Sequence, residues 1–307
     1  MKHIVVFGAA NVDISAGSGV ALALGDSTPG RVSTSAGGVA RNIAENLARL
    51  EHSTHTHLVS AVGDDLQGEF LLSHTRNAGV DVSTCSVLTG QTTGTYLAMY
   101  NPDGSLLAAV NDMGVLDLLT PTELARHAAA TVDANAWVLD CNLSPAAIAW
   151  VMQASVGVPV FVDGVSAHKC IKAVPHLQHI HTLKINRLEA AALTGLPVDS
   201  PAQATAAAYS LCERGVANVV VSLGSGGVCF STQGGQGHIP AIKVDVVNAN
   251  GAGDALTAGL VNGAMAGWPL PDAARFANAC AAFTMTSNAA NHPELNEARA
   301  WQLLDLN

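Results

Sequence analysis

The run Asn248-Ala-Asn-Gly-Ala-Gly-Asp254 brings small residues and one carboxylate up to a helix-like stretch, Ala255-Leu-Thr-Ala-Gly-Leu260. Small residues let the backbone N–H groups of a helix start approach a phosphate, where the positive end of the helix dipole favours developing negative charge. A carboxylate beside that charge can take the proton of a hydroxyl as it attacks the γ-phosphate of ATP. General bases contribute about 10²–10⁴-fold in such reactions. Taken alone, the run also fits a glycine-rich turn with Asp254 as an ordinary helix cap. The chain lacks the G-x-x-x-x-G-K-[ST] loop and the H-R-D and D-F-G runs, which disfavours those two routes to phosphoryl transfer.

Two further runs carry polar groups of the right type. In Ala36-Gly-Gly-Val-Ala-Arg-Asn42 paired glycines precede a helix; glycines permit close backbone approach to a sugar, and the Asn42 amide offers both donor and acceptor. A helix-starting turn is the plain alternative. Gly8-Ala-Ala-Asn-Val-Asp13 follows the first apolar strand. Ligands in open α/β sheets bind at the carboxyl ends of strands, so Asn11 and Asp13 are placed to hold hydroxyl groups, with an Asx turn as the alternative.

The elements that must position these residues are legible from apolar periodicity. Buried strands are expected at residues 3–7, 57–62, 136–140, 159–163, 181–185 and 219–223. Helical spacing lies at residues 40–50, 67–78, 144–153, 201–214 and 253–266. Strands alternating with helices imply a mostly parallel sheet covered on both faces. Two stretches break the rhythm. Residues 14–34 are rich in Gly, Ser and Pro, and residues 93–110 read as two alternating strands around a turn at Asn101-Pro-Asp-Gly104. These are expected to form a small β lid, inserted at about 14–34 and 91–113 into one domain spanning 1–307.

Composition agrees with a globular α/β body: 307 residues, 49% hydrophobic and 12% charged. A net charge of −10 argues against nucleic acid and anionic membranes as partners and favours small molecules. No apolar run reaches 18 residues, so no membrane span is expected. The six cysteines form no C-x-x-C pair, and a reducing cytoplasm is the simplest setting. His52, His55 and His57, and His176, His179 and His181, invite a metal interpretation, yet no H-E-x-x-H or Cys/His quartet accompanies them. They are expected to be exposed loop or strand-end histidines. No G-x-S-x-G elbow supports a hydrolase.

Together with Val62-Gly-Asp-Asp-Leu-Gln-Gly68, Asn186-Arg-Leu-Glu189 and Ser222-Leu-Gly-Ser-Gly-Gly227, the three runs resemble, in order, the ribokinase-like (PfkB) carbohydrate kinase family. The resemblance implies an α/β, ribokinase-like three-layer fold with a mostly parallel central sheet, flanking helices and a small β lid. It makes Asp254 the catalytic base and Gly251, Ala252 and Gly253 the anion hole. Asp13, Gly38 and Asn42, with neighbouring Asn11, fall on the sugar side. Asn186, Ser222, Gly224, Gly227 and Asn278 fall on the nucleotide side, and Glu189 is expected to hold Mg²⁺ through water. ATP and Mg²⁺ are the implied cofactors, and a homodimer through the lid strands is the implied assembly. Asn248 stands where relatives that bind a monovalent cation often carry Asp, so potassium activation is not expected.

Segments outside these signatures, among them Val110-Asn-Asp-Met113, Asp140-Cys-Asn-Leu-Ser144 and Val162-Asp-Gly-Val-Ser-Ala167, resemble a subfamily that phosphorylates the 5′-hydroxyl of a C-glycosidic nucleoside. Asn111 and Asp112 follow the lid strands and have the hydrogen-bonding capacity to read a base edge, a turn at the lid's end being the alternative. Asn250, Ile185 and Gly164 stand where Thr, Pro and Pro are common in such relatives, and none of these changes removes a catalytic group. Other expectations on the same scaffold are a kinase of ribose, fructose, adenosine or inosine, and a non-catalytic nucleoside sensor. A sensor, however, has no need of a base at an anion site.

Overall fold

The computed structural model describes residues 2–23, 25–51, 54–127 and 132–306; His52 lies outside them. The strands are β1 (Lys2–Phe7), β2 (Asn11–Gly17), β3 (Arg31–Gly37), β4 (Thr54–Val59), β5 (Ala61–Gly63), β6 (Ser86–Leu88) and β7 (Thr95–Tyr100). They continue as β8 (Leu106–Asp112), β9 (Ala136–Asp140), β10 (Val160–Asp163), β11 (Thr182–Asn186), β12 (Asn218–Ser222), β13 (Val228–Thr232) and β14 (Gly235–Ile239). The helices are α1 (Val39–Leu50), α2 (Leu66–Asn77), α3 (Gly114–Asp117), α4 (Pro121–Arg126) and α5 (Pro145–Ala154). Then come α6 (Arg187–Thr194), α7 (Pro201–Glu213), α8 (Ala252–Met265), α9 (Leu270–Thr284) and α10 (Glu297–Asp305).

Eight strands form the main sheet in the order β14-β13-β12-β11-β10-β9-β1-β4. The six from β12 to β4 run parallel, and β13 and β14 close one edge as antiparallel strands. The parallel strands are short apolar runs because both faces are covered. Their pleat divides the core. Val5, Phe7, Leu139, Val162 and Ile185 face the layer of α5, α6 and α7, whereas Ile4, Val6, Val138 and Phe161 face α1, α8 and α9. The β13–β14 hairpin and α9 were not expected from periodicity. β14 is Gly-rich and largely exposed, and α9 is so rich in Ala that buried and exposed faces do not separate by residue type.

A separate four-stranded sheet has the order β3-β2-β7-β8. Its turn is the expected one: Gly104 takes φ 82° and donates to the Asn101 carbonyl, while Asn101 accepts the chain's reversal by donating to Ser105. Its strands reach further than the expected insertions, because β2 starts at Asn11 and β3 runs to Gly37. Asn11 and Asp13 therefore lie in a paired strand, not in an Asx turn. β2 and β7 are parallel neighbours, which is why so small a sheet is built from segments far apart in the chain.

The seating of α8 depends on residues without bulk. A Cβ on Gly259 would lie 2.5 Å from Ala277 Cα, and one on Gly263 would lie 2.6 Å from Ala273 Cβ. Helices α8 and α9 therefore approach almost backbone to backbone, and Asp254 rides on the first turn of α8. Gly259→Ala is expected to cost about 1–3 kcal/mol by overpacking, read as a lowered thermal midpoint in calorimetry. An unchanged midpoint would show that the two helices do not touch this closely.

Candidate active site

The carboxyl ends of adjacent parallel strands carry charge where the apolar runs stop. Asp140 ends β9, Asp163 ends β10, and Lys184 lies in β11. In each strand the pleat turns the charged residue to the α8 side, opposite Leu139, Val162 and Leu183. Lys184 Nζ donates to Asp163 Oδ2 at 3.0 Å, and Thr257 of α8 donates to the same oxygen at 2.7 Å. Burial alone would lower Lys184, but Asp163, Asp254 and Glu189 outweigh it and hold the ammonium above its ordinary range. Asp140 accepts from the backbone N–H groups of Ala9 and Ala40 at 2.9 Å each and of Asn142 at 2.8 Å. Burial raises its carboxyl above the usual range, against the pull of those bonds.

Gly251 begins α8 in the left-handed region, with φ 78°. A Cβ there would lie 1.8 Å from the Ala290 carbonyl oxygen, so only glycine can both turn the chain and fit. Ala252, Gly253 and Asp254 make up the first turn, their N–H groups at the positive end of the helix. Gly253 rests on Lys184, whose Nζ lies 2.8 Å from where a Cβ would be. Asp254 as a residue is half-buried. Burial pushes its carboxyl up to about 7, reinforced by Asp163 and opposed by Lys184 and by a bond from Asn42. That bond, Asn42 Nδ2 to Asp254 Oδ2 at 2.7 Å, joins the first helix of the chain to the eighth.

Asn42 is held from behind by Arg41, whose guanidinium is fully buried. Arg41 donates to the carbonyl of Gly37 at 3.0 Å, to the side-chain oxygen of Asn42, to Glu45 and to Asn291. Asn291 in turn donates to the Asn42 carbonyl at 2.8 Å. With its oxygen occupied by Arg41, the Asn42 amide must present its NH₂ to Asp254. The glycine pair fits two neighbours: a Cβ on Gly37 would lie 2.2 Å from the Asp13 carboxylate, and one on Gly38, at φ 100°, would lie 2.4 Å from the Ala9 carbonyl oxygen. Asn11 Nδ2 donates to Asp13 Oδ1 at 2.6 Å, and burial raises the Asp13 carboxyl. Strand register separates the two residues at the end of β8. Asp13, Tyr96 and Asn111 are cross-strand partners in one row, so their side chains share a face. Asp112 falls in the next row with Val12 and Thr95, on the other face, and its Oδ1 accepts from the N–H of Gly114 at 3.2 Å.

Asn186 and Ser222 are register partners at the ends of β11 and β12, which brings the two expected nucleotide-side motifs together. Asn186 caps α6, and both Glu189 oxygens accept from it, Oε2 from its backbone N–H at 2.9 Å and Oε1 from its side chain. Glu189 is buried, and that burial raises its carboxyl despite Asn186 and Lys184. After Ser222 the chain makes a short 3₁₀ turn, Gly224–Gly226. A Cβ on Gly227 would lie 2.1 Å from the Ile239 carbonyl oxygen, so the turn folds onto the segment after β14. Asn278 donates its amide to the Pro240 carbonyl in that segment at 2.9 Å; it borders the turn through a bond within the chain. Asn248 is likewise committed, donating to Asn288 and accepting from Asn250 N–H.

Motif reading assigned no role to Asp140, Asp163, Lys184 or Arg41. The available signal was a charged residue at or near the end of each of three apolar strands, at the edge where open α/β sheets bind ligands.

The chain matches the model of the pfkB family carbohydrate kinases over residues 1–297. It is 38% identical over 304 residues to pseudouridine kinase of Escherichia coli, covering 99% of this chain and 96% of that one. It is 40% identical over 312 residues to the uncharacterized sugar kinase YeiI of the same organism, covering 99% and 84%. Its fold superimposes on that of Arabidopsis thaliana ribokinase, solved with ribose and ATP, with a TM-score of 0.88 at 24% identity, covering 100% and 99%. With strand ends, glycine pair and helix start arranged around Asp254, the chain belongs to the PfkB carbohydrate kinase family and is an ATP-dependent phosphotransferase of the sugar and nucleoside kinase type.

Proposed function

We propose that this protein is a pseudouridine kinase, transferring the γ-phosphoryl group of ATP to the 5′-hydroxyl of pseudouridine to give pseudouridine 5′-phosphate. The observation that carries the site assignment is the 2.7 Å bond from Asn42 to Asp254, where the sugar-side and phosphate-side residues meet. In this proposal Asp13, Asn11, Gly38 and Asn42 hold the ribose, and Asn111, on the Asp13 face of the small sheet, addresses the base. Asp254 takes the 5′-hydroxyl proton as the oxygen attacks the γ-phosphorus. The N–H groups at Gly251, Ala252 and Gly253 receive the charge that develops on the transferring group. Lys184 stays beside Gly253 and moderates the charge of Asp163 and Asp254.

Asn186, Ser222, Gly224 and Gly227 take the nucleotide side, with Asn278 behind the turn. The carboxylate oxygens there suit Mg²⁺, and Glu189, with both oxygens already accepting from Asn186, would hold it through water. Bound with ATP, Mg²⁺ supplies charge neutralisation at the phosphates. The four-stranded sheet serves as a lid over one kinase domain, excluding water. Its edge strand β8 is exposed along its length, which supports pairing of two copies there. Among the described residues no helix is long and apolar enough to cross a membrane. All six cysteines are free thiols, which suits a reducing cytoplasm.

The similarity to YeiI favours a sugar kinase as the second reading. Mass spectrometry of reactions containing ATP with pseudouridine, uridine, adenosine, ribose or fructose separates the two. Pseudouridine is expected to have the highest kcat/KM; turnover of ribose or fructose without pseudouridine would overturn the substrate assignment, and nucleoside binding with no transfer to any acceptor would point to a sensor. Asp254→Asn is expected to lower kcat on the order of 10²–10⁴-fold while nucleoside binding persists. In the native enzyme the base works only when deprotonated, so kcat/KM falls as pH drops below about 7 and is level above it. Near-native turnover of the variant would remove Asp254 as the base. Asn111→Ala is expected to weaken pseudouridine binding more than ribose binding, as measured by titration calorimetry; equal losses would exclude Asn111 as a base reader.

A further inference from the structure

The opposite edge of the sheet carries a second cluster with chemistry of its own. His3 in β1 and His55 in β4 are direct register partners, and His57 follows two residues along β4. All three imidazoles therefore emerge on one face, at the amino ends of the strands. Asp81 lies beside them, pinned to β4 on both sides of His57: its N–H donates to the Thr56 carbonyl and its carbonyl accepts from Leu58 N–H, each at 2.9 Å.

The geometry points to a transition-metal site, a Zn²⁺ ion held by His55, His57 and Asp81. Their ligand atoms all lie within 4.8 Å of one another. Asp81 Oδ2 stands 3.4 Å from His55 Nε2 and 3.5 Å from His57 Nδ1. These separations are long for hydrogen bonds, which fall at about 2.7–3.2 Å. They match the edge of a tetrahedron with bonds of about 2.0–2.1 Å, which is about 3.3–3.4 Å. The surrounding shell is also organised. Asp81 Oδ1 accepts from Ser83 N–H at 2.8 Å, leaving Oδ2 for the histidines. His57 is nine-tenths buried, with a side-chain exposure of 9%, and its Nδ1 has no hydrogen-bond partner. His3 packs its ring against both other rings, and water would fill the fourth position.

The ligand set spans the edge strand β4 and the segment after α2, so the ion would clamp that edge of the sheet. The test is titration of the full chain with ZnCl₂ in excess Mg²⁺, with Co²⁺ as a spectroscopic stand-in. One Zn²⁺ per chain, a rise in thermal midpoint and the visible absorption of four-coordinate Co²⁺ are expected. His55→Gln and Asp81→Asn alter residues outside the buried core, and each is expected to weaken Zn²⁺ binding at least about 10-fold and to abolish the Zn²⁺-dependent rise in midpoint. Their midpoints in EDTA report that they are folded. Zn²⁺ affinity unchanged in both variants, or no stoichiometric binding by the native chain, overturns the proposal.

Discussion

Three carboxylic acids, Asp163, Glu189 and Asp254, converge at the carboxyl edge of the sheet around the ammonium of Lys184, and a fourth, Asp140, lies beside Asp163. An acid taken out of water without compensation costs several kcal/mol, so the surrounding fold is organised by how each is satisfied. Asp163 receives Lys184 and Thr257; Asp140 receives three backbone N–H groups; Glu189 receives Asn186. Asp254 receives one side-chain amide, from Asn42, and feels Lys184 without a direct bond in this set. It is the least satisfied of the four and the one whose proton affinity is raised to about 7. Perturbation of this kind follows from placement: the acid best compensated is least suited to exchange a proton, and the acid left short is best suited.

The same constraint accounts for the glycines that touch charge. A Cβ on Gly8 would fall 2.4 Å from the Asp140 carboxyl carbon, one on Gly37 would fall 2.2 Å from Asp13, one on Gly164 would fall 2.6 Å from Glu189, and one on Gly253 would fall 2.8 Å from the Lys184 nitrogen. In each case a charged group occupies the volume that any side chain would need. These glycines shape the beds in which charges lie against backbone. Arg41 meets the equivalent problem on the sugar side by spreading its guanidinium over Gly37, Asn42, Glu45 and Asn291. Breaking a buried set of this kind by removing one member costs about 3–5 kcal/mol, so the orientation of the Asn42 amide is firmly enforced.

What was legible in the sequence divides along physical lines. Apolar runs located β1, β9, β10, β11 and β12 within a residue or two, because strands buried on both faces leave continuous hydrophobic text. The run at 57–62 merged β4 with β5, whose separation at Ser60 is set by tertiary bonds: Ser60 donates to the Gly8 carbonyl. Glycine-rich runs located the anion-site and sugar-side motifs but concealed what they rest against. That Gly37 faces Asp13 and Gly253 faces Lys184 is a property of pairs 24 and 69 residues apart, and local spacing carries no trace of it. The pleat puts Asn111 and Asp112 on opposite faces, and only the registers of β2, β7 and β8 show that Asn111 is the one on the Asp13 face. The histidines divide in a similar way: His55 is exposed, whereas His57 is buried within β4. His55 and His57 read as strand-end residues, but parallel pairing with β1 adds His3, and the bridge to Asp81 supplies the carboxylate that spacing within one segment cannot reveal.

The two polar clusters occupy opposite ends of one parallel sheet, the acids on β9, β10 and β11 and the histidines on β1 and β4, and the difference between them follows from strand polarity. At the carboxyl edge the chain leaves each strand toward a helix start, so backbone N–H groups accumulate there and acids can be held by them, as Asp140 is by Ala9 and Ala40. At the amino edge the chain arrives from helix ends, where carbonyl groups predominate and N–H donors are few. Acids are poorly served there, and neutral imidazoles, which need at most one donor and one acceptor, are tolerated better. A sheet built this way sorts carboxylates toward the end where phosphoryl chemistry is proposed. It leaves histidines at the other end, where Asp81 stands among them because its own loop, through Ser83, brings the N–H group that the edge does not supply.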